Sequence, residues 1–263
     1  MSAMILYHGE PNGPSLAVLA AVAETGVAVE YRSIDLLAAE RHRLPGLREP
    51  LARDMAVEGE GPVLVSEGEA MAESVFIMQF LDELSGGVAH LQPGEAYPHW
   101  QMLMWCRRIT ERCAPAAAML GTRVHTTPQL AALDDDAIET MIAPIVSEDL
   151  KQRWRDIRAG EVDDATVADC RAKIAQAAEM VEQQLADGRD WLMGNFSIAD
   201  LETYGWLAGM VAQDSETFAG KPRLTGWMAR TAARPSVRAA LARATVVAPE
   251  QSWAPGPEIN RWG

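Results

Sequence analysis

The stretch that decides the fold is Gly61-Pro62-Val63-Leu64-Val65, which is followed one short hairpin later by Glu73-Ser74. Proline cannot donate to a sheet ladder, so Pro62 marks the first residue of a strand. An X-Pro bond in a tight position can be cis, and it then exposes the preceding backbone N–H and C=O to a ligand. Glu73-Ser74 begins an apolar-periodic segment, and the unpaired N–H groups of a helix N-terminus bind anions. The pattern predicts a binding site for a small peptide that carries a free carboxylate.

The residues before this stretch predict a strand, a helix and a second strand. Met4–Tyr7 predicts a strand, Ser15–Thr25 an Ala/Leu/Val-rich helix that ends at Gly26, and Val29–Ile34 another strand. A βαβ unit of this kind has parallel strands and a right-handed connection. The next segment, Leu37–Met55, is charged and contains two prolines and a glycine, so we expect an irregular helix or loop there.

The residues after Pro62 complete a small domain. Val63–Ser66 and Ala70–Ala72 are predicted strands on either side of a Glu67-Gly68-Glu69 turn, and Glu73–Leu84 has apolar residues at helical spacing. The order βαβ, irregular segment, ββα is that of a thioredoxin-like fold. We therefore expect an α/β thioredoxin-like domain over residues 1–85.

The remainder of the chain predicts a helical domain and a tail. Residues 86–97 have the composition of a linker, residues 98–243 show no convincing strand, and residues 244–263 are rich in proline. The tail is expected to be extended and, because it contains Trp253 and Trp262, to cover an apolar surface. The predicted helices are Ala96–Leu120, Pro128–Ala159 with or without a break at Pro144, Asp164–Ala186, Ser197–Val211, Leu224–Ala232 and Ser236–Arg243.

One local signal in this half is a helix start at Ser197. Ser197 is an N-cap residue, Asp200 is placed to return the hydrogen bond, and Phe196 and Leu201 are spaced as a hydrophobic staple. This capping box explains Asp200 fully, so we predict a structural role for its carboxylate.

The composition excludes several classes of function. The 263 residues carry a net charge of −14, which argues against binding to nucleic acid or anionic membranes. Cys106, Cys113 and Cys170 form no CxxC and no Cys/His ligand pattern, so we expect no metal site and buried free thiols. The sequence shows no signal peptide and no apolar run of about 20 residues, so we expect a cytoplasmic protein.

Together, the thioredoxin-like domain, the linker, the all-α domain and the Ser-x-x-Asp box resemble the glutathione transferase superfamily. The resemblance implies that glutathione is the co-substrate and that the chain forms dimers. It also implies that Gly61-Pro62 pairs its backbone with the cysteinyl part of glutathione. Glu73 would receive the γ-glutamyl ammonium, while Ser74 and its N–H would receive the carboxylate.

Three segments are similar to the bacterial lignin β-etherases: Glu148–Gly160, Trp105-Cys106 and Trp191–Asp200. This resemblance implies that a glutathione thiolate attacks the carbon that bears an aryloxy group, releasing a phenol and a glutathione conjugate. An adjacent ketone makes that carbon more electrophilic, so an α-keto β-aryl ether is the expected substrate.

Two residues are candidates for activating the thiol. Pro11-Asn12-Gly13 resembles a turn in relatives of these etherases, and an Asn amide can donate to a thiolate and lower the thiol pKa. An alternative alignment places Ser15 next to the thiol, although Ser15 is also a good N-cap residue. Tyr7, in the first strand, is expected to be a packing residue, and His8, which follows it, a polar residue with its hydrogen bonds satisfied rather than a base.

The segment before Pro62 departs from the family pattern. It reads Ala56-Val57-Glu58-Gly59-Glu60-Gly61-Pro62, so a glycine replaces the usual β-branched residue and two glutamates lie close to an anionic ligand. Weak glutathione binding, or none, is one expected consequence. A group of basic residues could supply positive charge for the glycyl carboxylate or simply form a solvated run: Arg41, His42, Arg43 and Arg48.

The second substrate is expected to bind between the domains, where ligand sites commonly form. Candidates for an aromatic pocket, each of which could equally be a core residue, are Trp105, Met119, Trp154, Trp206 and Met210, with the Trp253 tail as a lid. Two other functions remain open at this point. One is a non-catalytic or weakly catalytic subunit of a heterodimer with an active related chain, and the other is a transferase that acts on an aryl halide or an epoxide. The resemblance leaves both a homodimer and a heterodimer open for the enzyme.

Overall fold

The fold was analysed in a computed structural model, which describes residues 4–48 and 59–257. Four strands form one sheet: β1 (Ile5–His8), β2 (Glu30–Ser33), β3 (Val63–Ser66) and β4 (Glu69–Met71). The sheet order is β2-β1-β3-β4, with β1 parallel to β2 and the other pairs antiparallel. Leu6 pairs with Tyr31 on one side and Leu64 on the other, so β1 is central.

Two helices belong to this sheet domain, α1 (Gly13–Thr25) and α2 (Ser74–Leu84). Helix α1 ends where Gly26 takes a left-handed conformation, as the sequence predicted. Short 3₁₀ turns at Leu36–Ala38 and Glu40–His42 lie in the segment predicted to be irregular. Residues 49–55 of that segment lie outside the described residues. So do Ala56–Glu58, the first part of the stretch that differs from the family pattern.

The C-terminal part is helical throughout its described residues. Its helices are α3 (Ala96–Arg108), α4 (Ala114–Gly121), α5 (Thr127–Leu130), α6 (Asp135–Ile142), α7 (Glu148–Ala159), α8 (Asp164–Gln184), α9 (Ile198–Ala208), α10 (Ser215–Phe218), α11 (Pro222–Ala233) and α12 (Pro235–Leu241). The structure thus has a thioredoxin-like N-terminal domain and a helical C-terminal domain, as expected. No helix among the described residues is both long and apolar enough to cross a membrane.

Of the two alternatives for Pro128–Ala159, the unbroken helix is wrong and the interruption around Pro144 is confirmed, with a second break after Leu130 that was not predicted. The chain forms α5, α6 and α7 instead, because two side chains cap new helix starts within the segment. Asp134 accepts from the Ala137 N–H at the start of α6, and Ser147 accepts from the Leu150 N–H at the start of α7. The break extends over residues 143–147 rather than lying at Pro144 alone.

Helices α3, α4 and α5 are joined through π-helical turns at Ile109–Cys113 and Thr122–Thr126. Turns of this type often lie at functional sites because they re-aim the side chains around them. Thr110 in the first turn and Thr122 in the second both line cavities beside the tail.

Helix α1 holds the two domains together. It packs against α2 in its own domain and against α9 and α12 in the helical domain. The close approach depends on Gly205, because a Cβ there would lie 2.5 Å from the Gly13 carbonyl oxygen. The start of α1 is therefore fixed against α9, and the cleft between the domains opens at this point.

Candidate functional site

Two cavities meet in the cleft between the domains. The larger, about 320 Å³, is lined by the β1–α1 turn, residues 33–37 and the tail. The smaller, about 230 Å³, is lined by residues 59–62, the start of α2 and the first π-helical turn. Pro14, Glu60 and Trp206 line both cavities, so the two spaces adjoin each other.

The smaller cavity contains the residues predicted to hold the peptide ligand. Gly61, Pro62, Glu73 and Ser74 all line it. Glu73 is exposed and precedes α2 with φ of 66°, a value that L-residues rarely adopt. Strain of this kind persists where the surrounding structure imposes it, often at binding sites. The structure therefore brings together the four residues for which the sequence predicted glutathione contacts.

Beneath Ser74 lies a buried carboxylate that the sequence analysis missed. The Ser74 hydroxyl donates to Glu202 Oε2 at 2.7 Å, and Trp206 Nε1–H donates to Glu202 Oε1 at 2.8 Å. Burial raises the pKa of Glu202 to about 7, with a smaller contribution from the Glu73 charge, against the lowering effect of the two hydrogen bonds. A signal was present in the sequence, because Glu202 is a second acidic residue in the otherwise largely apolar helix that starts at Ser197.

The backbone at Pro62 differs from the expectation of a cis bond. Every peptide bond in residues 4–48 and 59–257 is trans, including Gly61–Pro62. Trans is the intrinsically favoured isomer, and in this structure the tail meets the backbone one residue earlier. The Glu60 N–H donates to the Pro255 carbonyl at 2.8 Å, and Gly59 lies against Gly256 so closely that a Cβ would come within 2.9 Å of its backbone.

The two candidates for thiol activation both line the larger cavity. Asn12 is buried, and its amide Nδ2 donates to the Ser252 carbonyl at 3.2 Å. Ser15 is also buried, and its Oγ accepts from the Gly9 N–H at 3.2 Å. An amide nitrogen carries two hydrogens and a serine hydroxyl keeps its own, so each residue retains one hydrogen to donate to a thiolate.

The neighbouring strand residues have the structural roles expected of them. Tyr7 is buried, and its hydroxyl accepts from Arg32 Nη1 at 3.0 Å. His8 is buried, its Nδ1 is 2.9 Å from the Gly9 carbonyl oxygen, and burial lowers its pKa. Neither residue lines the two cavities of the cleft.

The proposed aromatic pocket divides between the cleft and the core. Trp206 lines both cavities of the cleft, and Met119 lines a third cavity of about 300 Å³ beside α7. Trp105 and Trp154 lie in the core instead, where their indole N–H groups donate to Thr203 Oγ1 and Glu60 Oε1. A buried indole N–H needs a hydrogen-bond acceptor, and each of these two rings has one inside the protein, so the two residues have structural roles.

Met210 is also a core residue, with 1% of its surface exposed. Of the five candidates, Trp206 lines the cleft, Met119 lines the third cavity, and the other three are core residues.

The described part of the tail, residues 244–257, lies over the larger cavity and is held there by packing and hydrogen bonds. Trp253 is buried, with its ring 6.4 Å from that of Trp206 at an angle of 31°. The ring packs directly on the backbone of Gly121 and Gly209, which we call the glycine cradle. A Cβ at Gly121 would come within 2.2 Å of the ring and one at Gly209 within 2.6 Å, so neither position has room for a side chain. The Thr126 hydroxyl donates to the Trp253 carbonyl. The other predicted tail tryptophan, Trp262, lies outside the described residues.

The basic residues before Pro62 divide into two groups. Arg41 and His42 are buried, whereas Arg43 and Arg48 are exposed. Arg41 lines the smaller cavity and donates to the Gly59 carbonyl, so it can offer positive charge to a ligand there. His42 Nε2 lies 2.9 Å from Glu60 Oε1. The interpretation as a solvated run is thus wrong for the first two residues.

Structural roles account for the cysteines and for Asp200. Cys106, Cys113 and Cys170 are buried free thiols, and burial raises the pKa of Cys113 to about 12. The capping box at Ser197 is confirmed, and Asp200 also accepts from the Leu192 N–H at 3.0 Å and from Trp227 Nε1 at 2.8 Å. The described residues contain no cluster of side chains suited to a metal ion.

Two family models match the chain. The glutathione S-transferase N-terminal domain matches residues 2–83, and the glutathione S-transferase C-terminal domain matches residues 133–235. Among curated proteins, glutathione transferase GST 23 of Zea mays is 32% identical over 88 residues, which are 34% of this chain and 37% of that protein. Glutathione S-transferase 3 of Glycine max is 30% identical over 93 residues, 35% of this chain and 38% of that protein. The chain thus matches little more than a third of the length of these relatives.

Solved structures share the fold over nearly the whole chain. Beta-etherase LigF from Sphingobium sp. strain SYK-6 has a TM-score of 0.81 at 20% identity, covering 92% of this chain and 100% of that chain. A Burkholderia graminis glutathione transferase with two glutathione molecules bound per subunit has a TM-score of 0.64 at 19% identity, covering 92% of this chain and 88% of that chain. At these identities the likeness establishes the fold.

Proposed function

Because the chain belongs to the glutathione transferase family, with glutathione as its co-substrate, we propose that it cleaves the β-aryl ether bond of lignin-derived aromatic dimers. The observation that carries this proposal is the pair of adjoining cavities in the cleft. The smaller offers Glu73 and Ser74 to the γ-glutamyl end of glutathione, and the larger offers the rings of Trp206 and Trp253 to an aromatic electrophile. The likeness to beta-etherase LigF in fold adds support.

The arrangement suits a displacement reaction at the border of the two cavities. The glutathione thiolate attacks the β-carbon, a C–S bond forms, and the C–O bond breaks with its electron pair on the aryloxy oxygen. The phenolate then takes a proton from water, so the products are a phenol and a glutathione conjugate. Holding the γ-glutamyl end of glutathione in the smaller cavity and the ether in the larger one, with the thiolate reaching the border between them, supplies the alignment that such an attack needs.

The chain's own contribution is to favour the thiolate. Asn12 and Ser15 line the larger cavity, and each can donate a hydrogen bond to sulfur. Donation to the charged form lowers the thiol pKa and raises the fraction of thiolate at neutral pH. Buried side chains with fixed partners lose little entropy when they make that bond.

The test is release of phenol from an α-keto β-aryl ether by the purified chain with glutathione. We expect release with glutathione present and none without it, and the same assay with an aryl halide separates ether cleavage from general transferase activity. Conjugation of the halide with no cleavage of the ether would contradict the proposed substrate while leaving a transferase.

A second candidate function is a non-catalytic subunit of a heterodimer with a related chain. The tail favours it, because the Pro255 carbonyl already accepts from the Glu60 N–H beside the predicted glutathione backbone contact. Retention of the isolated chain on a glutathione-affinity column supports the enzyme. Passage through the column, with dimer formation only when a related chain is present, supports the subunit.

A further inference from the structure

The two oxygens of the Glu202 carboxyl group face different partners, and only one of these partners can accept a hydrogen bond. The inference drawn from this rests on the glutathione site of the proposed function. Trp206 Nε1–H, which donates to Oε1 at 2.8 Å, is a donor only, so a proton on Oε1 would gain no acceptor from it. A proton on Oε2 faces Ser74 Oγ, which can accept, at 2.7 Å, so Oε2 is the favoured site.

The protonation state of Glu202 decides in which direction the Ser74 hydroxyl donates its hydrogen. When Glu202 is ionised, Ser74 donates its hydrogen to Oε2 and presents only lone pairs to the smaller cavity. When Glu202 is protonated, Oε2–H donates to Ser74 Oγ, and the serine hydrogen is free to point into the cavity. A ligand carboxylate accepts hydrogen bonds but cannot donate them, so only the second arrangement gives it a bond from Ser74.

We propose that Glu202 is a positioning residue for glutathione, whose protonation turns the Ser74 hydroxyl from a donor toward Glu202 into a donor toward the γ-glutamyl carboxylate. Binding of glutathione then takes up a proton at Glu202. The same proton removes a buried negative charge that would lie close to the ligand carboxylate, so both effects act in one direction.

The surroundings of Glu202 favour proton uptake. Glu73, just before α2, and Asp200, on the same helix as Glu202, are acidic, and the Cys106 and Cys113 thiols that face Glu202 from the α3 side are held neutral by burial, which raises their pKa. From α1, the groups in contact with α9 near Gly205 are the Gly13 carbonyl and the Ala17 methyl. Arg41, the cation that lines the same cavity, donates to the Gly59 carbonyl.

Burial raises the pKa of Glu202 to about 7, so the proton exchanges in the range where binding can be measured. S-methylglutathione is the suitable probe because it keeps the γ-glutamyl group and has no ionisable thiol. Calorimetric titration from about pH 5.5 to about pH 8.5, in two buffers of different ionisation enthalpy, gives both affinity and protons taken up.

We expect affinity for S-methylglutathione to fall about tenfold between about pH 6 and pH 8, with uptake of a fraction of a proton at neutral pH. In Glu202→Gln the amide oxygen accepts from Trp206 and the amide N–H donates to Ser74, which holds the serine as protonated Glu202 does. This variant should bind at the wild-type low-pH affinity across the range and take up no proton. Any pH dependence of the ligand's own ammonium is common to both proteins and cancels in the comparison.

Ser74→Ala provides a second variant in case Glu202→Gln fails to fold. It should bind more weakly than wild type at low pH, and it should keep only the smaller pH dependence and proton uptake that come from the charge of Glu202. Wild-type binding that does not depend on pH, or an unchanged profile in either variant, overturns the inference and leaves the glutathione site intact. Absence of binding by all three proteins overturns the inference and the site together. Proton-linked binding without ether cleavage overturns only the proposed reaction.

Discussion

Asn12 and Ser15 are the two residues that we propose as activators of the glutathione thiol. They lie three positions apart at the start of α1, both buried and both lining the larger cavity. The structure brings both candidates to the same cavity, so mutation must decide between them. Asn12 also anchors the tail through Ser252, and a substitution there changes two things at once.

Replacing Asn12 with alanine is expected to lower ether turnover by about 10- to 100-fold, since that is the worth of one hydrogen bond to a charged group. Retained affinity for glutathione and a raised pKa of the bound thiol, followed by thiolate absorbance, would show that the loss lies in activation. Asn195→Ala, at an exposed position, is the matched control and should keep full turnover.

Ser15→Ala distinguishes the alternative. If Ser15 activates the thiol, Ser15→Ala loses the turnover and Asn12→Ala keeps it, which would contradict the assignment to Asn12. The hydroxyl accepts from the Gly9 N–H, so the unfolding free energy of this variant should be measured beside its activity.

Glu202 should make stability depend on pH. Its folded-state pKa of about 7 lies above the ordinary value of 4.5, so the folded chain binds the proton more tightly than the unfolded one. Stability from this group is therefore full below about pH 4.5 and falls as pH rises towards 7. We expect the difference in unfolding free energy between wild type and Glu202→Gln to shift by roughly 2–3 kcal/mol over that interval, from about 1.4 kcal/mol per pKa unit. Denaturant titration at several pH values measures it, and a constant difference would contradict it.

The element that most alters the site is the tail. Trp253 contributes one wall of the larger cavity, and Pro255 accepts from the Glu60 N–H at the edge of the smaller one. Its place depends on the absence of side chains at Gly121 and Gly209, where a Cβ would overlap the indole ring. The tail therefore sets the size of the cleft and access to the backbone beside Pro62.

Gly121→Ala is expected to displace Trp253. In a helix, Gly to Ala ordinarily stabilises by about 0.5–1 kcal/mol, but the overlap with the ring should reverse the sign and destabilise by about 1–3 kcal/mol. Trp253 emission should shift to the red, and affinity for glutathione should rise as the Glu60 N–H becomes free.

Gly94→Ala is the control, because a Cβ there meets nothing within 4 Å. Stabilisation of Gly121→Ala with unchanged fluorescence would show that the tail does not occupy the cradle.

For the whole molecule, the two domains are joined by α1 and by polar contacts, among which is a clamp at the end of α1. Arg234 donates to both oxygens of Glu24 at 2.7 and 2.8 Å, and Ser236 donates to the same carboxylate. The Arg234 guanidinium also lies 3.6 Å from the centre of the Phe196 ring. The clamp links the end of α1 to the start of α12, far from the cleft.

Glu24→Gln should destabilise the whole chain by about 1–3 kcal/mol, because the Arg234 charge loses its partner in a half-buried place. Although burial acts to raise it, the pKa of Glu24 is lowered overall by Arg234 and Ser236. The clamp therefore contributes above the unfolded pKa and is lost as pH falls through the folded one. Unfolding of both domains in one transition is expected in wild type. Asp187→Asn, at an exposed pair with Arg189, is the control and should leave the transition unchanged.

Most of the fold follows from local patterns. The βαβ and ββα order, the Gly26 stop and the Ser197 capping box depend on residues within a few positions of each other, and each lies where the sequence predicts. The exception is the α5–α7 region, where Asp134 and Ser147 cap helices inside one long periodic segment. The helical spacing of apolar residues continues across the breaks at residues 131–134 and 143–147, so this spacing does not reveal where the helices end.

The site followed from the sequence less fully. Gly61, Pro62, Glu73 and Ser74 meet because they lie at the ends of adjacent elements of one domain. Trp105 and Trp154 could not be separated from Trp206 by spacing, since all three occupy apolar positions of helices. Glu202 carried a signal, as a carboxylate in a buried helix, but its partner Ser74 is 128 positions away.

By itself, the sequence determined the two-domain fold, the glutathione-type residues at the start of α2 and the structural role of Asp200. Only the tertiary structure decided that the tail covers the cleft, that Gly61–Pro62 is trans and that Glu202 lies beneath Ser74. The physical reason is the separation along the chain of the residues that interact. Caps, turns and periodicity act between neighbours along the chain, whereas the burial that raises the pKa of Glu202 and the cradle that holds Trp253 arise only when distant helices pack together.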